Sequence, residues 1–171
     1  MNNWKRYSIQ GAVLLLACSL PSLVAAQDRA VILAGTELSR VVPPGFYFQG
    51  LSAPTQMRNA AAARWGKDCH VIARLVDTSG YSADVREKYQ GFLIADSDIT
   101  IDGKTLKSGA YGFGFSNDGK VNIMDLAGNQ ILSGSTTKDS QLRRPRPLMM
   151  SQDGERIRLY NGRDYVLIDA K

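Results

Sequence analysis

Three Asx-Gly pairs, Asp102-Gly103, Asp118-Gly119 and Asn161-Gly162, do most to limit what this chain can fold into. Each accepts positive φ at both positions, as a two-residue hairpin turn requires. Around them lie short runs of β-branched and aromatic residues, which suit a pleated, half-buried surface. The spacing predicts strands near 91–95, 98–101, 104–107, 110–116, 120–126, 130–133, 156–160 and 163–168. Strands this short and regular predict a mainly β fold: a single antiparallel sandwich or small barrel built from hairpins, with one or two short helices. The long piece from Ser135 to Glu155 reads as irregular.

Upstream the pattern is mixed. Asp28 to Val42 has a weak helical period, with Thr36 as candidate cap and Pro43-Pro44 as a stop. Gly45-Phe46-Tyr47-Phe48 reads as a strand, and so does His70 to Val76. Asp77-Thr78-Ser79-Gly80 fits a type I turn, Asp first and Gly fourth. Ser82 is placed to cap one or two helical turns running to Tyr89. Thr55 to Trp65 has two readings: its four consecutive alanines favour helix, and its place between strand-like segments favours strand.

The first 26 residues read as a secretory signal peptide. Lys5 and Arg6 precede the apolar run Gly11 to Leu20, Pro21 breaks it, and Val24-Ala25-Ala26 supplies the small residues of a cleavage site. Leu15-Leu16-Ala17-Cys18 loosely matches a lipoprotein box, which would leave Cys18 lipidated, but the match is imperfect and ordinary cleavage after Ala26 is preferred. The expected organisation is a signal peptide over 1–26 and one β-rich domain over 27–171, exported to the periplasm or beyond. No second apolar run is long enough to span a bilayer. The signal holds two of the 21 basic residues and no acidic one, so the formal net charge falls from +5 to +3. That is too mild to suggest nucleic acid. Cys69 alone remains, so no internal disulfide can form and packing must supply stability.

The segment Gly109 to Phe115 is the most informative. Alternation puts Tyr111, Phe113 and Phe115 on one face, and Ala110, Gly112, Gly114 and Ser116 on the other. A two-residue turn at Asp118-Gly119 would set Phe113 opposite Met124, Gly112 opposite Asp125 and Gly114 opposite Ile123. The glycine face is then a trough that another element packs into, the favoured reading, or that a ligand occupies with Asp125 at its edge.

A two-residue turn at Asn161-Gly162 would set Ile157, Leu159, Val166 and Ile168 on a core face, and Arg158, Tyr160, Arg163 and Tyr165 on the other. Two cation–π pairs follow, Arg158 with Tyr165 and Tyr160 with Arg163. This surface is either a solvated face stapled by its own pairs or a site for an anion or sugar-like ligand. Leu142 to Met150 sets Arg143, Arg144 and Arg146 among apolar residues and prolines. Such a loop is a solvated connection, the favoured reading, or a dock on an acidic surface or a membrane headgroup layer, although three arginines fall short of the usual lipid-binding cluster.

Catalytic signals are sparse. His70 is the single histidine, and on a strand it and Cys69 point to opposite faces, too far apart for a nucleophile–base pair. No Gly-x-Ser-x-Gly elbow is present. No catalytic residue, metal site or cofactor follows from the sequence.

Several blocks together resemble a group of uncharacterised exported bacterial proteins: Ser52 to Asn59, Leu75 to Tyr81, Tyr89 to Ile94, Gly109 to Phe115 and Leu159 to Val166. The resemblance covers most of the chain after the signal. It brings no activity or ligand, and it tilts Thr55–Trp65 toward strand. The expected function is a non-catalytic binding or envelope-associated module. The alternatives are an interaction protein pairing through a sheet edge or the Arg/Pro loop, and a hydrolase with an unrecognised site.

Overall fold

Strand β4 (Cys69–Val76) has almost no polar break, and its burial explains why: Val71 and Ala73 are buried on one face, Ile72 and Arg74 on the other. A strand covered on both sides belongs in the middle of a sheet. The computed structural model describes residues 29–67 and 69–171, so the expected signal segment and Cys18 lie outside the described residues. In it β4 is central to an eight-stranded antiparallel sheet. The order is β1 (Val31–Ile32), β3 (Leu51–Trp65), β4, β5 (Gly91–Ala95), β8 (Gly109–Ser116), β9 (Lys120–Met124) and β10 (Gln130–Ser135), with β2 (Gly45–Phe48) paired to the first part of β3. A six-stranded sheet runs β12 (Arg146–Asp153), β13 (Arg156–Gly162), β14 (Asp164–Ala170), β6 (Ile99–Ile101) and β7 (Lys104–Leu106), with β11 (Thr137–Lys138) also on β14. The fold is therefore mainly β, two antiparallel sheets with two short helices. Neither sheet closes into a barrel among the described residues, which leaves the sandwich.

The inner faces meet in one core. Val71, Ala73, Leu93, Phe113, Phe115 and Ile123 come from the larger sheet; Ile99, Ile101, Leu148, Ile157, Leu159, Val166 and Ile168 come from the smaller. Side chains close the seams. Trp65 Nε1 donates to the Glu155 carbonyl at 2.6 Å. Gln90 holds both sheets: its amide exchanges bonds of 3.0 and 2.9 Å with the Phe115 backbone and accepts from Asn161 Nδ2 at 2.8 Å. At the β10 edge, Asp102 Oδ2 accepts the Ser135 N–H at 2.9 Å and the Lys104 ammonium donates to the Ser133 carbonyl.

A second core covers the outer face of the larger sheet. Helix α1 (Gly35–Val41), β2 and the segment around α2 (Ala83–Arg86) bring Phe46, Phe48, Tyr81 and Tyr89 onto Ile72, Phe92 and Met124. Phe46 stacks on Phe92 at 4.7 Å and Phe48 on Tyr89 at 3.9 Å between centroids. This layer fills the glycine trough. A Cβ on Gly112 would lie 2.5 Å from the Phe48 ring, and one on Gly114 would overlap the Lys88 carbonyl. Close packing is thus the reading the structure bears out.

Thr55–Trp65 is strand, part of β3. Ala61 and Ala63 face the inter-sheet core and Ala62 the outer one, so small side chains on both faces serve a doubly covered strand. A register shift between Thr55 and Ala60 lets the first part of β3 leave β4 and fold with β2 over the outer face.

Several local readings need correction. Ala34, not Thr36, occupies the cap position of α1. The turn after β4 closes one residue late, with Tyr81 N–H on the Thr78 carbonyl at 3.0 Å, because Asp77 Oδ1 takes the Ser79 N–H at 2.9 Å. Ser82 stands at the cap position, without a side-chain cap bond, of a helix that ends at Arg86, short of Tyr89. Ser135–Glu155 is not irregular: it holds β11 and β12, with Leu148 and Met150 facing the core. Of the three corners, Asp102-Gly103 is as expected, with Ile101 paired to Lys104 and φ of +50° and +71°. The second is a three-residue loop, because Ser116 pairs with Lys120 and only Gly119 has positive φ. The third sits on Gly162-Arg163, because Asn161 pairs with Asp164; glycine at the first central position with φ +63° fits a type II′ turn.

Candidate functional site

On the outer face of β13 and β14, Tyr160 lies opposite Tyr165 and Arg158 opposite Leu167. The Arg158–Tyr165 cation–π pair forms diagonally, the guanidinium carbon 4.8 Å from the ring centroid. The expected Tyr160–Arg163 pair does not, because Arg163 sits at the corner. Tyr160 is only 2% exposed, and its hydroxyl donates to Asp139 Oδ2 at 3.0 Å. Arg158 lies 3.2 Å from Asp153 and 3.9 Å from Asp139. Tyr160 first, and Asp153 after it, hold the Arg158 pKa above its ordinary value. Arg163 turns the other way. Its Nη1 faces the carbonyls of Asp139, Ser140 and Leu142 at 3.4, 3.1 and 2.6 Å. Arg158, Tyr160 and Arg163 thus bind segment 139–142 onto the sheet, while Tyr165 carries the Arg158 guanidinium on its ring.

Asp125 is not at the trough, since the β8–β9 register sets Gly112 opposite Met124. It organises the turn after β9, accepting the N–H groups of Ala127 (3.0 Å) and Asn129 (2.9 Å) and the Asn129 side chain (3.0 Å).

Beyond the fastened segment lie three arginines close together in the chain. Arg143, Arg144 and Arg146 are exposed and, with Leu142 and Met149, line one depression of about 570 Å³ where β12 begins. Among the described residues none of the three makes a salt bridge or side-chain hydrogen bond. Pro145 and Pro147 restrict the backbone between them. Pro147 falls where the β12–β13 register shifts between Arg146 and Met149, at an irregularity that spares it a ladder bond.

Other depressions differ in charge. One of about 690 Å³ beside Trp65 holds Arg156, answered by Asp153 at 3.5 Å and Asp169 at 3.9 Å. A polar groove of about 750 Å³ along β9 and β10 contains Lys120 paired with Asp118 at 2.7 Å, and Lys104, already bonded to Ser133. The arginine depression is set apart by three cations and no carboxylate in its lining. Cys69 and His70 do diverge. The thiol accepts from Ser97 Oγ at 2.8 Å; His70 Nδ1 lies 2.9 Å from Asp96 Oδ2 and faces a depression of about 180 Å³ lined by Leu33, Glu37, Arg40, Val41 and Arg64, with no hydroxyl side chain among them. Among the described residues no helix is long and apolar enough to cross a membrane.

Asp139 and Gln90, which fasten the site and join the sheets, escaped sequence reading. Asp139-Ser140-Gln141 carries an Asx-turn signal, realised as Gln141 N–H on Asp139 Oδ1 at 3.0 Å, but no local pattern announces Tyr160 or Asn161 as partners.

Four turn carboxylates set the acid response. Asn129 and the neighbouring amides hold Asp125 below the usual carboxylate range; Lys107 and the Ser108 amide do so for Asp98, Ser79 for Asp77, and Lys120 with Ser116 for Asp118. A pKa lowered by folding contributes stability above the unfolded value, about 4, and loses it as pH falls through the folded one. The urea midpoint should hold level down to about pH 4 and fall below it. Asp98→Asn and Asp125→Asn should each make that fall shallower; unchanged slopes in both would contradict this assignment.

Comparison of the chain with protein-family models, with curated proteins and with solved structures finds no match.

Proposed function

We propose that this chain is an exported, non-catalytic binding module that recognises an anionic group through Arg143, Arg144 and Arg146. One observation carries the reading: three unpaired guanidinium groups line one depression on a loop whose path is fixed from behind. Guanidinium forks match carboxylate and phosphate oxygens two at a time, and gathering three like charges raises the local potential that draws an anion in. The resemblance to exported proteins agrees with this reading and adds no ligand. The alternative of pairing through a sheet edge has less support at β10, where Asp102 and Lys104 already occupy the Ser135 N–H and the Ser133 carbonyl.

The test compares two variants of equal charge. One carries Arg143→Ala, Arg144→Ala and Arg146→Ala; the other carries Arg29→Ala, Lys67→Ala and Arg86→Ala, all exposed and remote from the loop in sequence. Against a panel of phosphorylated and carboxylated compounds, the loop variant should lose at least about tenfold in affinity, the equivalent of a single fork. The second variant should bind as the unchanged protein does. Equal losses in both would reduce the effect to net charge and end the proposal.

A further inference from the structure

We infer that the depression takes a ligand carrying two neighbouring phosphate groups, and that Arg163 is the positioning residue that keeps it formed before the ligand arrives. This rests on the anion-binding reading just given. The charge count argues for two phosphates. Each brings about −1.5 to −2 at neutral pH, so one alone leaves part of the +3 lining unanswered and two together match it. An acidic peptide delivers charge more thinly: in an extended strand successive side chains point to opposite sides at about 3.3 Å per residue, so only alternate ones could face the depression. Leu142 and Met149 give it an apolar flank for the body that joins the phosphates.

Pre-formation is built from behind. Arg163 Nη1 gathers three carbonyls of the incoming segment, and the Arg163 carbonyl accepts the Asp139 N–H at 2.8 Å. Tyr160 holds Asp139 by its carboxylate at 3.0 Å. A lysine falls short of this contact, because its ammonium ends about where the guanidinium carbon stands, one bond before Nη1. The ligand can be a soluble diphosphate or a diphosphorylated lipid headgroup; the chemistry is shared.

Titration calorimetry of the purified protein tests this with inorganic pyrophosphate, inorganic phosphate and a glutamate-rich peptide. Pyrophosphate should bind at least tenfold tighter than either. Phosphate or peptide binding as tightly would overturn the diphosphate inference and leave the anion reading standing; no binding by any of the three would remove both. Phosphatidylcholine vesicles containing a phosphatidylinositol bisphosphate, whose ring carries two phosphomonoesters on adjacent carbons, separate the sources: binding that pyrophosphate competes away assigns a headgroup, and pyrophosphate binding without vesicle binding assigns a soluble ligand. Arg163→Gln and Arg163→Lys should each lose about tenfold in pyrophosphate affinity while keeping the circular dichroism of the fold. Both should also be nicked faster by trypsin after Arg143, the loop arginine not followed by proline whose release reports loosening of the segment; pyrophosphate should slow nicking of the unchanged protein. Unchanged affinity and nicking in both variants would show that Arg163 does not position the loop.

Discussion

Gly114→Ala should lower the melting temperature by roughly 10 °C, the equivalent of about 3 kcal/mol at this chain length. The added methyl would overlap the Lys88 carbonyl. That atom is backbone, held where the α2 segment turns into Tyr89, and Tyr89 is fully buried against Phe48. Relief therefore requires moving the outer layer off the sheet, whereas a crowding side chain could simply rotate. Gly80→Ala is the control: nothing lies within 4 Å of a Cβ there, and its φ is not in the left-handed region. It should stay within about 0.5 kcal/mol of the unchanged protein. Thermal unfolding followed by circular dichroism reads both, and equal melting temperatures would mean that the Lys88 carbonyl does not rest on Gly114.

The second large effect is a coupling. Phe48→Ala removes a fully buried ring that stacks on Tyr89 and should cost about 3–5 kcal/mol. Gly112→Ala drives a methyl into that ring and should cost about 1–3 kcal/mol. Combined, the new methyl occupies space the ring has left. The double variant should therefore be at least about 1 kcal/mol more stable than the sum of the single losses predicts. Urea denaturation of the four proteins measures the cycle, and simple additivity would separate the two positions.

These positions also show what could be read in the sequence. That Gly112 and Gly114 face an approaching element followed from alternation alone; that the element is Phe48 and the Lys88 carbonyl depends on how β3 bends, which no local pattern records. The corners show the same boundary. Asp102-Gly103 turned where its residues allow. At Asn161-Gly162 the Asn161 amide is drawn to Gln90 at 2.8 Å, which keeps Asn161 in the strand and passes the turn to Gly162-Arg163. Pairing there moved by two residues, so Ile157, Leu159, Val166 and Ile168 kept the core face; Arg158 still reaches Tyr165 diagonally, and the expected Tyr160–Arg163 pair is lost. At Asp118-Gly119 the carboxylate is held by Ser116 and Lys120, and the extra loop residue moved pairing by one. A slip of one changes which residues meet across the strands. Ile123 met Phe113 in place of Met124, and Asp125 left the trough. β12 was hidden by arginines and prolines at its start, although Leu148 and Met150 already alternate. The three loop arginines stood out by composition, but the Arg163 contact with the segment before them runs from the β13–β14 corner to a stretch whose one readable signal is an Asx turn.

The placement of β14 has a bearing on how the protein comes to exist. It pairs with β13 on one side and with β6, far earlier in the chain, on the other, Ile168 lying against Ile101. Such distant pairings assemble slowly. Ribosomal synthesis must therefore reach residues 164–170 before the two layers can lock, and a nascent chain halted earlier would offer two raw strand margins instead of a smaller finished unit.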